Sequence, residues 1–217
     1  MMTKNNIRFT TPTGFAQYPY LNSPDTKFNP EGDYKVNLLL PEDTKTKELI
    51  DKLDAVLIKF METSDDVKRA IAQRKTVTKG DIVTYDEEGN VVFKFKQKAV
   101  IHTKDGKDLK VSIPIFDSKG KPCNGAMIGS ESKIKVNFSV FPYYMPTTKT
   151  CGLSLRPVAV QVIELVEPKA SGTAESYGFG EEEGGFEYTE EPAAAPEEDS
   201  KPWDNLEEDY VPNKGDF

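Results

Sequence analysis

The sequence predicts a mainly β domain, namely an OB-fold (a five-stranded Greek-key barrel) with an inserted α-helix, followed by a disordered acidic C-terminal tail. Three observations support this prediction. Several segments alternate apolar and polar residues with a period of two, one segment between them has helical spacing, and the strand pattern stops at Pro168. A β-sandwich fits the same pattern almost as well. We therefore divide the chain into a domain at residues 1–167 and a tail at residues 168–217.

Five segments have the alternation and composition of strands. The first begins after Gly32 and ends at Pro41, and its polar face carries Lys35. The other four are residues 91–101, 109–116, 133–141 and 153–166. Turn residues separate them, which is the element count of a small barrel.

The segment after Asp43 is predicted to be helical. Leu49, Leu53 and Leu57 lie at a spacing that places them on one helical face, and aspartate is a favoured N-cap residue. A second, shorter helix is predicted from Ser64 to about residue 74. We expect both helices to fill the core and to carry no chemistry.

Charge is divided unevenly along the chain. The net charge is −8, but residues 168–217 hold 3 basic and 15 acidic residues, a net −12, whereas residues 1–167 hold 25 and 21, a net +4. Residues 91–149 contain 11 lysines and 4 acidic residues, a net +7. Such a surface can follow a phosphate backbone, although lysines on exposed strand faces also simply keep a sheet soluble.

The sequence lacks the motifs that catalytic sites usually contain. The sequence contains no phosphate-binding glycine loop and no metal-ligand cluster, and His102 is its single histidine. Cys123 and Cys151 are spaced unlike zinc ligands and are expected to be reduced structural thiols. We predict a protein that is not an enzyme and that needs neither cofactor nor metal. Without an apolar run of about 18 residues, a cytosolic location and no membrane partner are expected.

Two of the predicted strands place lysines together on one face. Phe93 and Phe95 point inward in the second strand, so the lysines between and after them project outward. Aromatic rings on which bases can stack follow the fourth strand in a predicted loop, and Tyr18 and Tyr20 are further candidates. The residues predicted to bind DNA are Lys35, Lys94, Lys96, Lys98, Lys133, Lys135, Tyr143, Tyr144 and Arg156.

An ordered set of short motifs resembles the single-stranded DNA-binding proteins of T7-like bacteriophages. No single motif is specific, but their order and approximate spacing match over nearly the whole chain. The motifs are residues 18–25, 32–36, 93–96, 117–121, 128–136 and 142–143, together with the final Gly215-Asp216-Phe217.

The resemblance implies an OB-fold, a homodimer and single-strand binding during DNA replication, recombination and repair in the cytoplasm of an infected bacterial host. It also implies contacts of the tail with the replicative DNA polymerase and the primase-helicase. Lysines 94, 96, 133 and 135 match the family's strands, and Tyr143 matches its loop. The family has a second aromatic residue where this chain has Met145, and Tyr144 is the candidate substitute.

Large apolar residues within the acidic tail predict short partner-binding segments, since a purely solvating tail has no use for them. The predicted partner-binding residues are Trp203, Leu206, Asp209, Asp216 and Phe217. A tethered segment of this charge is also expected to compete with DNA for the basic domain. An inert solubilising tail is the alternative. At the level of function, the alternative is an acidic interaction or mimic protein whose tail binds a partner's basic surface and whose barrel is a scaffold.

Overall fold

A computed structural model of the protein describes residues 7–103 and 106–168. In chain order the strands are β1 (Arg8–Thr10), β2 (Gly14–Asp25), β3 (Asp33–Leu40), β4 (Thr78–Lys79), β5 (Thr84–Tyr85), β6 (Val91–Lys98), β7 (Val100–His102), β8 (Asp108–Lys110), β9 (Ile115–Phe116), β10 (Lys133–Met145) and β11 (Thr150–Glu164). The helices are α1 (Thr44–Thr63) and α2 (Asp65–Ala72), and both lie between β3 and β4.

Strands β2, β3, β6, β10 and β11 form the barrel. The main sheet has the order β4-β11-β10-β2-β3-β6-β5, with β1 paired to β10 and β9 paired to β11. The five barrel strands pair antiparallel, whereas β4 and β9 run parallel to β11. β6 and β11 lie against each other, which curves the sheet into a barrel. The predicted OB-fold with an inserted helical segment is confirmed.

The barrel is filled by aromatic and branched side chains from facing strands. Phe93 and Phe95 of β6 and Phe138 of β10 are almost completely buried. The ring centroids of Phe95 and Phe138 lie 5.0 Å apart at an interplanar angle of 60°, a tilted arrangement that aromatic pairs favour. Burying one such side chain contributes roughly 1.5–3 kcal/mol to the free energy of unfolding.

The helical segment begins as predicted. Asp43 is the N-cap of α1, and its carboxylate accepts a 2.8 Å hydrogen bond from the Thr46 N–H. This bond, which favours the charged carboxylate, holds the pKa of Asp43 below its ordinary value. The predicted stripe is confirmed, because Leu49, Leu53 and Leu57 are all buried. The second helix ends at Ala72, slightly earlier than predicted, and Arg74 has a left-handed φ of 58°.

Two predicted strands are interrupted, and one barrel strand was not predicted. Residues 91–101 divide into β6 and β7 at Ala99, whose N–H donates to the Gly32 carbonyl and whose carbonyl accepts from Val111. Residues 109–116 divide into β8 and β9 before Pro114, which has no N–H to contribute to a ladder. Strand β2 takes the place of residues 109–116 among the five barrel strands.

The prediction of a loop after residue 141 is wrong. Strand β10 continues through Pro142 to Met145, and β11 begins at Thr150, before the predicted start at residue 153. Pro142 pairs with Leu153 of β11 on one side, while β1 pairs with β10 only at residues 137–139. Proline is tolerated at such an edge position because no ladder bond from its nitrogen is required there.

The structure bears on the predictions for the cysteines and for membrane segments, but not on the predicted tail. Both cysteines are free of disulfide bonds, and Cys151 is buried. Neither helix in the described part of the chain is long and apolar enough to cross a lipid bilayer. The predicted tail at residues 168–217 lies outside the described residues, apart from Pro168.

His102 connects the small β7–β8 sheet to the β2–β3 connection. Its Nδ1 lies 2.6 Å from Asp108 Oδ1 and its Nε2 lies 2.8 Å from Glu31 Oε1. The hydrogen bond with Asp108 and the charge of Glu31 raise the pKa of His102 above its ordinary value of 6.5. When it is protonated, the ring donates to both carboxylates and holds two exposed segments together.

We predict that this contribution to stability depends on pH. Because the pKa of His102 is raised in the folded state, the stabilisation is complete below the ordinary value of 6.5 and is lost as pH rises through the folded-state pKa. Urea midpoints of the wild type and His102→Gln should therefore differ at about pH 5.5 and converge at about pH 9. A midpoint difference that is constant across this range would contradict the prediction.

Candidate nucleic-acid interface

The outer face of the barrel comprises the side chains of β2, β3, β6, β10 and β11 that point away from the core. On β6, Lys94 and Lys96 are exposed and Lys98 is half-buried, which confirms the predicted alternation. In the register of β3 with β6, Lys35 lies opposite Lys96, and Asn37 lies opposite Lys94. The lysines of two strands thus form one cluster.

Two carboxylates partly neutralise this cluster. Lys35 forms an ion pair with Asp25, and Lys96 Nζ lies 3.2 Å from Asp33 Oδ2. Each aspartate side chain is only 11% exposed, whereas the Lys96 side chain is 63% exposed. The hydrogen bond from Lys35 is the largest cause that lowers the pKa of Asp25 below its ordinary value. Both carboxylates therefore orient the lysines above them.

Strand β10 contributes the second group of lysines. Lys133 and Lys135 are half-buried and lie on the outer face, while Ile134 and Val136 between and after them are completely buried. Lys133 pairs with Glu164 of β11, with Nζ 2.8 Å from Oε2. Lys94 and Lys135 have no carboxylate partner within residues 7–103 and 106–168. These two amines are the ones most available to an external anion.

The two lysine groups belong to one curved surface. Phe15 of β2 lies between them, because it pairs with Lys133 of β10 on one side and with Leu39 of β3 on the other. Strand β6 is three strands away from β10, a distance of about 14 Å along the sheet at ~4.8 Å per strand. A flexible polyanion can contact both groups across that distance.

Aromatic rings lie directly beside the cations of this face. Lys133 Nζ lies 5.7 Å from the ring centroid of Phe15, and Lys35 Nζ lies 4.9 Å from that of Tyr20. The guanidinium carbon of Arg156 lies 4.3 Å from the ring centroid of Phe141. We call these three contacts the cation–ring pairs, and each is within the range of a favourable cation–π interaction.

The sequence prediction did not select Phe15 or Phe141 as DNA-binding residues, and it did not include Arg8, a further cation beside these pairs. Phe15 is 46% exposed on β2, and Phe141 is half-buried on the extended part of β10. Arg8 of β1 and Arg156 of β11 both pair with Ser139 of β10, from opposite sides. The signal for Phe15 was the short alternation after Gly14, in which Ala16 is buried.

Ser139 is an exception on the outer face of β10. The alternation of β10 places its hydroxyl on the outer face, yet the residue is only 2% exposed. Neighbours on both sides explain this, because Arg8 and Arg156 lie beside it in the register. Ser139 is therefore covered rather than presented to a ligand.

The structure separates the two tyrosines that the sequence placed together in a loop. Tyr143 pairs with Gly152 and, by the alternation of β10, lies on the outer face with Lys133 and Lys135. Tyr144 pairs with Cys151 on the opposite face and packs against a buried cluster of Leu57, Val67 and Cys151 beneath the helices. The outer face thus includes Tyr143 but not Tyr144.

A glycine allows the Tyr143 ring to lie close to β11. A Cβ atom added at Gly152 would lie 2.5 Å from the Tyr143 hydroxyl oxygen and 2.6 Å from its Cζ. Real Cβ atoms do not approach other atoms so closely. The absence of a side chain at Gly152 is therefore a condition for the observed position of the ring.

The arrangement provides positive charge and aromatic faces, which are the two elements of sequence-independent binding to a single strand. Of the predicted DNA-binding residues, all except Tyr144 lie on the outer face. The predicted partner-binding residues, from Trp203 to Phe217, lie outside the described residues. Within residues 7–103 and 106–168, the acidic, cysteine and histidine side chains form no cluster that could hold a metal ion.

Comparisons with known proteins agree with this chemistry. A family model described as the single-stranded DNA-binding protein of bacteriophage T7 matches residues 13–165. The chain is 29% identical to the single-stranded DNA-binding protein of Escherichia phage T7, over 96% of this chain and 98% of that protein. It is also 29% identical to the corresponding protein of Enterobacteria phage T3, over 94% of each.

Solved structures show the same fold. The crystal structure of the T7 protein matches with a TM-score of 0.66 and 28% identity, covering 79% of this chain and 98% of that one. A single-stranded DNA-binding protein from bacteriophage Enc34, solved in complex with ssDNA, matches with a TM-score of 0.51 and 13% identity. That match covers 78% of this chain and 96% of the Enc34 chain. At this identity it shows the fold alone.

We predict that Gly152→Ala destabilises the protein through Tyr143. The added methyl group must displace the ring or shift β11. Because the clashing atoms are the tip of a half-buried side chain, we expect a cost near the lower end of the roughly 1–3 kcal/mol that overpacking takes from the free energy of unfolding. In the double variant Gly152→Ala/Tyr143→Leu the clash is absent, so part of the loss should be recovered. Urea unfolding of the four proteins measures this coupling, and strictly additive losses would contradict the predicted contact.

Proposed function

This chain belongs to the family of bacteriophage T7 single-stranded DNA-binding proteins, and from that membership we propose that it coats single strands with little sequence preference during phage DNA replication, recombination and repair. The protein acts without catalysis, in the cytoplasm of the infected bacterial host. Its domain at residues 1–167 holds the strand, and residues 168–217 regulate binding and recruit replication proteins.

One observation supports the proposal that the domain binds single-stranded DNA. A single curved face combines eight predicted DNA-binding side chains with additional exposed rings, and this face lies on the strands that OB-folds use to bind oligonucleotides. Strands β3 and β6, which carry Lys35, Lys94 and Lys96, are the second and third strands of the barrel. The β10–β11 hairpin, which carries Tyr143, is the connection between its fourth and fifth strands.

The division of labour follows from the chemistry of each group. Lysine ammonium groups neutralise phosphates of any sequence and release the cations condensed on the strand, so they set affinity and its salt dependence. Aromatic rings stack on bases without reading their identity. Because neither contribution depends on hydrogen bonding to base edges, binding has little sequence preference.

The tail is proposed to act as a competitor and as a recruiting segment. Its charge of −12 is tethered to a domain of charge +4, so its effective concentration near the basic face is high. Trp203, Leu206 and Phe217 are apolar anchors, and Asp209 and Asp216 add charge beside them. We propose the replicative DNA polymerase and the primase-helicase as the partners that receive this segment.

A homodimer is a further part of the proposal. Among the described residues, Phe28 in the β2–β3 connection is the most exposed large apolar side chain, at 84%. Exposed aromatic side chains of this kind commonly anchor protein interfaces. Sedimentation equilibrium of the purified protein is expected to give twice the mass of one chain.

Lys94 and Lys135 have no carboxylate partner among the residues that the structure describes, so their amines are available to phosphates. Replacing Lys94 and Lys135 by alanine should weaken binding to every single-stranded sequence equally. Each lost phosphate contact should lower the slope of log K against log salt by ~0.7, so the double variant should lose about 1.4. Fluorescence titration of oligo-dT at several salt concentrations measures this slope.

A matched control is available on the exposed side of α1. Lys52 and Lys59 carry the same charge but lie away from the outer face, so their double alanine variant should retain the wild-type slope. Equal slope changes in both double variants would show that binding depends on net charge and not on this face. Failure of the wild type to bind oligo-dT at all would favour the acidic mimic protein instead.

The second functional prediction concerns the tail. A variant lacking residues 168–217 should bind single strands more tightly than the full chain, and the difference should fade as salt rises because the tail's attraction is screened over roughly 10 Å at 0.1 M. The same variant should no longer associate with the replicative polymerase. Affinity for oligo-dT and co-sedimentation with the polymerase measure the two effects separately.

Deleting Phe217 alone separates the two roles of the tail. The deletion leaves the acidic residues in place, so DNA binding should remain close to wild type while recruitment of the polymerase is lost. Normal recruitment would move the anchor to Trp203 and Leu206. Weaker DNA binding of the tail-less variant at every salt concentration would refute the competition.

A further inference from the structure

The outer face shows a recurrent arrangement that the proposed function does not require. Phe15, Tyr20 and Phe141 each project from a different position of the sheet, and each has a cation from a neighbouring strand over its ring. The cations come from β10, β3 and β11 respectively, so the pairing is not a consequence of local sequence. Single strands present a flat base and a phosphate per nucleotide, which are the natural ligands of a ring and a cation.

Building on the proposed function, we propose that each cation–ring pair is a binding unit for one nucleotide, in which the cation leaves the ring when DNA binds. The base then stacks on the ring, and the phosphate takes the cation. This assigns DNA-binding roles to Phe15 and Phe141 and defines how Lys133 and Arg156 reach their phosphates.

The geometry supports exchange rather than simultaneous contact. A cation centred 4.3–5.7 Å from a ring centroid occupies the space that a stacked base would need on that ring face. The rings remain accessible from the side, since Phe15 is 46% and Tyr20 is 41% exposed. On that face a base can stack only as the cation moves away, and the arriving phosphate supplies the cation's new partner.

The units are distributed along a path that matches an extended strand. Phe15 pairs with Lys133, and Phe141 lies eight residues further along β10, which corresponds to about 26 Å at ~3.3 Å per residue. Lys135 and Tyr143 lie on the same face, before and after Phe141 on the strand. A single strand that follows β10 would therefore meet rings and cations in alternation.

Exchange makes a specific thermodynamic prediction. In the free protein the ring and the cation bind each other, and DNA must break that contact before it gains both partners. Removing either member alone loses one contact with DNA but spares the cost of breaking the pair. Each single variant therefore shows a loss that is smaller by the cost of breaking the pair. The double variant is spared this cost only once, so its loss of binding free energy must exceed the sum of the two single losses.

The experiment is a double-mutant cycle on oligo-dT binding by the full chain, with Phe15→Leu, Lys133→Met and their combination. Each single variant should lose affinity, by about tenfold for the ring, and only Lys133→Met should lower the salt slope, by ~0.7. The double variant should fall below the product of the single losses by about two- to fivefold, the strength of an exposed cation–ring contact. The ion pair of Lys133 with Glu164 is present with and without the ring, so it cancels in the cycle.

Phe141→Leu and Arg156→Met form a second, independent cycle with the same expected sign. Tyr85→Leu with Lys52→Met is the control, because it removes an exposed ring and an exposed cation elsewhere, and it should show neither loss nor coupling. Thermal melting verifies that each variant is folded. If a variant of the first cycle does not fold, the second cycle tests the exchange in its place.

Additive losses would overturn the exchange, since a cation that stays unchanged on its ring in the complex gives no coupling. A double variant that loses less than the product of the single losses would also overturn it, since that sign requires a pair that is stronger in the complex than in the free protein. Full affinity of Phe15→Leu and Phe141→Leu would remove both rings from the binding site. Neither result would affect the proposed function, which fails only if the wild type and the control do not bind oligo-dT.

Discussion

The contact between Phe95 of β6 and Phe138 of β10 is the interaction on which the rest of the structure depends. It joins strands that are separated by β2 and β3 in the sheet, so it fixes the curvature of the barrel as well as filling it. Side chains alternate along a strand, and these two buried rings therefore oblige Lys94, Lys96 and Lys135 to point outward. The core thus determines the position of the basic face, and a one-residue slip of either strand would bury its lysines.

The same alternation explains what the sequence could predict. Strands β3, β6 and β10 have strict period-two patterns, so their faces and their lysines followed from the sequence, as did the N-cap at Asp43. Strand β2 was not predicted because its pattern is broken where Tyr18 adopts a left-handed φ of 49° before Pro19. That irregularity shifts the register between Gln17 and Tyr20 and hides two outer-face rings from a periodicity argument.

The β10–β11 hairpin shows a different limit. Whether Tyr143 or Tyr144 faces the lysines depends on whether the strand continues through Pro142, and proline usually marks the end of a central strand. Only the pairing with β11 settles this, and the pattern within β10 alone does not reveal that pairing. The cation–ring pairs were unpredictable for the same reason, since each joins residues from different strands. Sequence patterns assign a residue to a face but not to its neighbour across the sheet.

Charge on this face is balanced rather than maximal. Asp25, Asp33 and Glu164 pair with three of the lysines, and aromatic rings contact two of those lysines and Arg156. In the free protein these partners reduce the mutual repulsion of the cations, which would otherwise oppose folding. When a polyanion binds, the cationic side chains can exchange these partners for phosphates. The proposed competition between the acidic tail and a DNA strand requires that both bind this set of partners.

Lysine footprinting tests the central claim, that the outer face of the barrel holds the single strand. The full chain is acetylated with a limiting reagent in the presence and absence of oligo-dT, and modification of each lysine is measured by mass spectrometry. The account predicts strong protection of Lys94, Lys96 and Lys135, with unchanged modification of Lys52 and Lys59 on α1. Protection of the helix lysines with continued modification of Lys94 and Lys135 would contradict it.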